Sequence, residues 1–197
     1  MVVDKPIGAV EVNVNENQGV TVGTNCGIIN FTNISKMPSL IADIVKAMAN
    51  VDETNSASNI MRSVSAFKLD EKIKYNEVIK YKEIINEHSM YYSQCEDIIN
   101  IFDDSNIGTK LKIFRCVKNW YLEAKGDVLK KAQNKDLPEI DVIRPYSDDL
   151  IQIVKNKIFD VAKTNAQPDV SVEDIEIGVV CFTCFCFMEC KILEKPL

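Results

Sequence analysis

Four cysteines, Cys181, Cys184, Cys186 and Cys190, crowd the last stretch of the chain, and a Cys-x-x-Cys pair is half of many zinc sites. On a helix, however, Cys181 and Cys184 share one face while Cys186 and Cys190 share the opposite one. No single tetrahedral ion can gather all four from a straight helix. Each pair would need two more ligands, and His88, Cys26, Cys95 and Cys116 are scattered elsewhere. A redox pair would draw a low thiol pKa from a helix N-terminus, which mid-helix placement denies. Reduced thiols in a core are therefore expected, with a metal or thiol site on the last helix as an alternative.

His88 is the single histidine and falls between Ile85 and Tyr92 on an apolar seam, where a hydrogen-bonded structural role is expected over a catalytic base. Glu123-x-Lys125 has the spacing of the carboxylate and lysine in many metal-dependent nucleases, which hold them on a strand beside an upstream acid. Asp103 and Asp104 lie upstream, yet the context Trp120-Tyr121-Leu122 follows a helical pattern, so a nuclease is kept only as an alternative. Lys110, Lys112, Arg115, Lys118, Lys125, Lys130, Lys131 and Lys135 form a locally basic stretch. It reads as a solvated face or a surface for an acidic partner or phosphate backbone. No GxxxxGKS/T, GxGxxG, HExxH or GxSxG occurs, so nucleotide hydrolysis and the common hydrolase chemistries have no local signature. No catalytic, cofactor-binding or metal-ligating residue is assigned.

The elements that would hold these residues are mostly helical. Ser171 and Asp174 approximate a capping box, and between Ile177 and Met188 only Gly178 and Thr183 interrupt the hydrophobes. A helix apolar on every side must be enclosed by other elements. Val78, Tyr81, Ile85, His88, Tyr92, Cys95, Ile99 and Phe102 alternate spacings of three and four, which predicts one long helix from Glu71 to about Asp103, roughly 50 Å in length. Thr109 to Lys131 reads as a helix burying Leu111, Phe114, either Val117 or the stem of Lys118, Tyr121 and Ala124. Pro138 and Pro145 predict an extended connection over Asp136–Tyr146. Ser147 is the expected cap of a helix whose buried face is Leu150, Ile151, Val154, Ile158, Val161 and Ala162. Pro38 and Ser39 open a short amphipathic helix, Leu40 to Ala49, with Leu40, Ile44, Val45 and Met48 on one side. The Asn/Ser/Thr-rich run from Val51 to Ser65 reads as a linker and a domain boundary. The fold class expected is mainly α: a helical bundle around an apolar C-terminal helix.

Residues 1–36 differ in kind. Val12, Val14, Val20, Val22, Ile29 and Phe31 alternate with polar residues between Asn/Gly-rich turns, predicting three short strands. So small a sheet is marginal alone, which points to pairing with copies of itself as an oligomerisation arm. The organisation expected is thus a β-rich arm over 1–36, a short helix and linker over 37–66, and an α-helical interaction domain over 67–197.

With 197 residues, 46% of them hydrophobic, the chain can bury a core. Its formal charge of −6 excludes a uniformly basic nucleic-acid binder. Neither a signal-peptide pattern nor an apolar run of spanning length is present, which predicts a cytoplasmic protein with no membrane contact. An odd count of seven cysteines fits that compartment, and the acceptor matches at Asn30 and Asn33 carry no consequence there.

Glu71-Lys72-Ile73-Lys74-Tyr75-Asn76, then Ile175-Glu176, then Glu189-Cys190-Lys191-Ile192-Leu193-Glu194-Lys195-Pro196 resemble the C-terminal domain of bacterial ABC-three-component systems, the Lamassu-like anti-phage defence modules. The resemblance spans roughly Lys68 to Leu197. It implies a non-catalytic module joining an effector to a middle component and an ABC/SMC-like ATPase that senses foreign DNA. Tyr75, Asn76, Cys190, Lys191 and Pro196 carry over as structural markers. Residues 1–66 are too few and too plain for an effector enzyme. The expected function is thus an oligomerising, docking subunit of an antiviral defence complex, without a cofactor, meeting DNA only through that complex.

Overall fold

In a computed structural model of the chain, the residues described are 38–51, 66–132, 137–166 and 170–196. Over these the chain is mainly helical: α1 (Leu40–Met48), α2 (Ala66–Tyr75), α3 (Lys82–His88), α4 (Tyr92–Ser105), α5 (Thr109–Lys131), α6 (Glu139–Ile143), α7 (Ser147–Asn165) and α8 (Val172–Met188). The proposed strands, with Val12, Val14, Val20, Val22, Ile29 and Phe31, lie outside the described residues. No helix among the described residues is long and apolar enough to cross a membrane.

The bundle is built around α8. Ser171 accepts from the Asp174 amide and the Asp174 carboxylate accepts from the Ser171 amide, so the capping box is formed and starts the helix. Every residue from Cys181 to Met188 is buried, and Phe182, Phe185 and Phe187 are fully enclosed, each contributing about 2–3 kcal/mol of burial. Thr183 returns its hydroxyl to the Val179 carbonyl at 2.6 Å, which removes the one polar group in this run from competition with the core. The enclosure is not complete at the other end, where Ile177 and Val172 stand in solvent.

Gly178 is where α1 crosses. A Cβ built there would sit 2.0 Å from the Val45 carbonyl oxygen, so only glycine allows the two backbones to approach this closely. Ile41, Ile44, Val45 and Met48 bury the inner side of α1 against α8 and α7. α1 thus packs into the same body as α7 and α8.

Four sequence expectations change. The long helix over Glu71–Asp103 is broken: α2 ends at Tyr75, Glu77 takes a left-handed φ of 54°, and a 3-10 turn over Ser89–Tyr91 separates α3 from α4. Val78, Tyr81, Ile85, Cys95 and Ile99 still face the core, so the seam survives without a continuous rod. The break is fixed from a distance, because Asp148 accepts from the amides of Ile79, Lys80 and Tyr81 at 3.1, 3.0 and 3.2 Å. Instead of an extended connection, Glu139–Ile143 is helical: Pro138 precedes the first turn, where its missing N–H costs nothing, and Glu139 and Asp141 favour the positive helix end. Ser147 is the first residue of α7 rather than its cap, and its buried hydroxyl finds no partner among the described residues. Leu111 is 63% exposed, whereas Val117 is the buried member of the alternative pair on α5.

Candidate functional site

The residues with chemical potential are dispersed, and most are committed to internal bonds. α8 ends at Met188, so Cys190 is not on the helix and the four-cysteine face argument applies only to Cys181, Cys184 and Cys186. The Cys95 sulfur, carried in by α4, lies 3.3 Å from that of Cys181. That sulfur–sulfur contact and burial push the Cys95 thiol far up, and burial does the same for Cys184 and Cys186. These are protonated core thiols. Among the described residues, no group of three or more His, Cys, Asp and Glu converges.

His88 ends α3, half-buried, with Nδ1–H donating to the Ile84 carbonyl at 2.9 Å and its ring edge-on to Tyr91. Glu123 is exposed on α5, and helical spacing turns it about 200° from Lys125. Asp103, the upstream acid of the nuclease alternative, accepts from the amides of Gly108 and Lys110 at 3.1 and 2.9 Å and so caps α5. The strand-borne arrangement that alternative requires is not formed by these residues.

The basic stretch divides. Lys110 reaches Asn100, Lys118 lies over the Tyr121 ring with its pKa lowered by burial, and Lys125 pairs with Glu139 at 2.5 Å and Glu194 at 2.7 Å. Lys112, Arg115, Lys130 and Lys131 remain exposed on α5, and Lys135 lies outside the described residues.

What the sequence reasoning missed is a clasp between α2 and the segment after α8. Lys72, 3% exposed, donates to the carbonyls of Phe187 and Ile192, the latter at 2.9 Å, and sits over the Phe187 ring. It supplies a donor and a positive charge to the carbonyl end of α8, where the helix dipole is negative. Its pKa is lowered to about 8, first by burial and then by the charge of Lys118, against opposing contributions from Cys190 and Glu194. Asn76, fully buried, binds the Glu194 backbone twice: its amide donates to the Glu194 carbonyl at 2.8 Å and its oxygen accepts the Glu194 N–H at 3.0 Å. The Glu194 carboxylate accepts from Tyr121 at 2.5 Å and from Lys125. Burial pushes that carboxyl up, but these two hydrogen bonds outweigh it and hold its pKa below the ordinary value. Cys190 and Leu193 turn the segment with left-handed φ values of 56° and 63°. The only sequence signal was indirect: Glu71–Asn76 and Glu189–Pro196, which carry the family resemblance, are the two strips that meet.

Compared with protein-family models, with curated proteins and with solved structures, the chain matches none of them. Chemically, the clasp is a lock that satisfies the end of a buried helix.

Proposed function

We propose that the chain is a non-catalytic docking subunit of a bacterial anti-phage defence complex, working in the cytoplasm with an ABC/SMC-like ATPase and a middle component, and assembling with copies of itself through residues 1–36. The observation that carries the docking half is the contrast between a helical body in which the α8 thiols are buried and His88 and Lys125 serve internal bonds, and an apolar set left in water. Ile101 near the end of α4, Ile107 in the turn and Leu111 in the first turn of α5 are 64%, 90% and 63% exposed. Exposed apolar side chains of this size, gathered on one hairpin and flanked by Lys112 and Arg115, suit a protein partner. DNA enters through the complex in this reading. The meeting of Glu71–Asn76 with Glu189–Pro196 supports the resemblance to the ABC-three-component domain, because strips far apart in sequence serve one structural purpose.

Deleting Met1–Ser35 tests the assembly half. Light scattering of the purified chain should show a lower oligomer mass, while helical circular dichroism stays nearly unchanged. An unaltered mass would defeat the arm. The nuclease alternative draws no support from α5, where Lys125 is held by two carboxylates.

A further inference from the structure

Cys95 and Cys181 face one another where α4 packs on α8. Their sulfurs are 3.3 Å apart, although the residues are 86 positions apart in sequence, and both side chains are buried. The other described thiols are placed differently. Cys184 lines a groove with Tyr81, Ile151 and Lys155, Cys186 is fully enclosed, Cys190 bonds the Met188 carbonyl, and Cys116 lies half-buried on α5. A sulfur–sulfur bond is about 2.0 Å long, so the remaining approach is about 1.3 Å, within the reach of side-chain rotation. Access comes through α4. A 3-10 turn over Ser89–Tyr91 precedes this helix, Gly108 with a φ of 90° follows it, and α8 is packed chiefly by α1 and α7. A helix held between two such breaks opens locally at less cost than the whole body unfolds, which gives a small oxidant a path to the pair.

We propose that Cys95 and Cys181 are an oxidisable dithiol, which hydrogen peroxide converts to a disulfide that fastens α4 to the central helix of the bundle. During local opening one sulfur, as thiolate, attacks a peroxide oxygen and the O–O bond breaks. The departing hydroxide takes up the proton that the thiol gave, forming water and leaving a sulfenic acid. The other thiol then attacks the sulfenic sulfur, the S–O bond breaks, and the oxygen leaves with the attacking thiol's proton as a second water. Two thiols are oxidised, one peroxide is reduced to two waters, and the chain loses two hydrogens. A thiol reductant reverses the bond. In the closed bundle the contact with the Cys181 sulfur and burial hold the Cys95 thiol protonated, so the pair stays reduced until α4 lifts and the reaction is slow. Once formed, the disulfide spans 86 positions of sequence and restricts the unfolded chain, which raises stability.

The test uses the full chain, reduced, folded and then treated with hydrogen peroxide, and is read by intact mass and by peptide mapping without reductant. The expected result is a species lighter by two hydrogens, mapped to a Cys95–Cys181 cross-link and restored by dithiothreitol. Its thermal melt should lie about 5 °C or more above that of the reduced chain. In Cys95→Ala and in Cys181→Ala that cross-link should be lost, and in Cys184→Ala it should persist. The mapping on the unaltered chain decides the matter even where a variant folds poorly. A disulfide that joins other members of the seven cysteines in the folded chain would overturn the proposal. So would Cys95 and Cys181 that remain thiols, or that pass to sulfinic acids without a cross-link, after prolonged exposure to peroxide.

Discussion

Lys72 is a buried cation whose hydrogen bonds run to two backbone carbonyls, and its titration should be visible in stability. Its native pKa, about 8, lies below the ordinary 10.5. Between those values the native amine is neutral while the unfolded one stays protonated, so the unfolded state binds more protons and stability from this group rises with pH. Urea unfolding at pH 7.5 and pH 9 should therefore show the unaltered chain gaining about 1 kcal/mol relative to Lys72→Met across that interval. Equal pH dependence in the two proteins would mean that the ammonium is not desolvated. Glu194 runs the opposite way: its native pKa is held below 4.5, so its contribution is present above that value and is lost as pH falls through the native pKa. Glu194→Gln should cost about 1–2 kcal/mol at pH 7 and less at pH 3, measured by the same method. None of this was legible residue by residue. Lys72 and Asn76 sit among ordinary helical charges, and their partners lie more than a hundred positions away.

At the scale of elements, signals contained within a few residues were readable and signals supplied from afar were not. The box of Ser171 and Asp174, and the apolar run it introduces, predicted α8 because both halves of the cap are local. The broken seam at Asn76–Tyr81 was hidden because Val78, Tyr81 and Ile85 keep a helical spacing, while the carboxylate that stops the helix comes from Asp148 on α7. Gly178 looked like a gap in a hydrophobic run; it is the crossing point of α1 and α8. Gly178→Ala should destabilise the fold by more than about 2 kcal/mol in urea unfolding, since its methyl would meet backbone that cannot move aside cheaply. A loss under half that size would mean that the helices can separate without disturbing the core. On the α4–α5 hairpin, Ile107→Asp should leave the thermal melt within a few degrees of the parent, because the side chain is 90% exposed, while weakening partner binding about tenfold or more.

For the whole molecule, composition predicted a bundle with a core and excluded a uniformly basic binder, and the bundle around α8 is what forms. The placement of α1 was not legible, since an Asn/Ser/Thr-rich run after Val51 resembles a boundary whether or not the helix before it packs into the body. The proposal that this body docks rather than catalyses is most directly tested by co-expressing the full chain with an ABC/SMC-like ATPase and middle component of its own genome, then measuring the mass of the purified species by light scattering. A defined complex containing all three, weakened by Ile107→Asp, is the result the account predicts. A chain that elutes free of both partners at every concentration would contradict it.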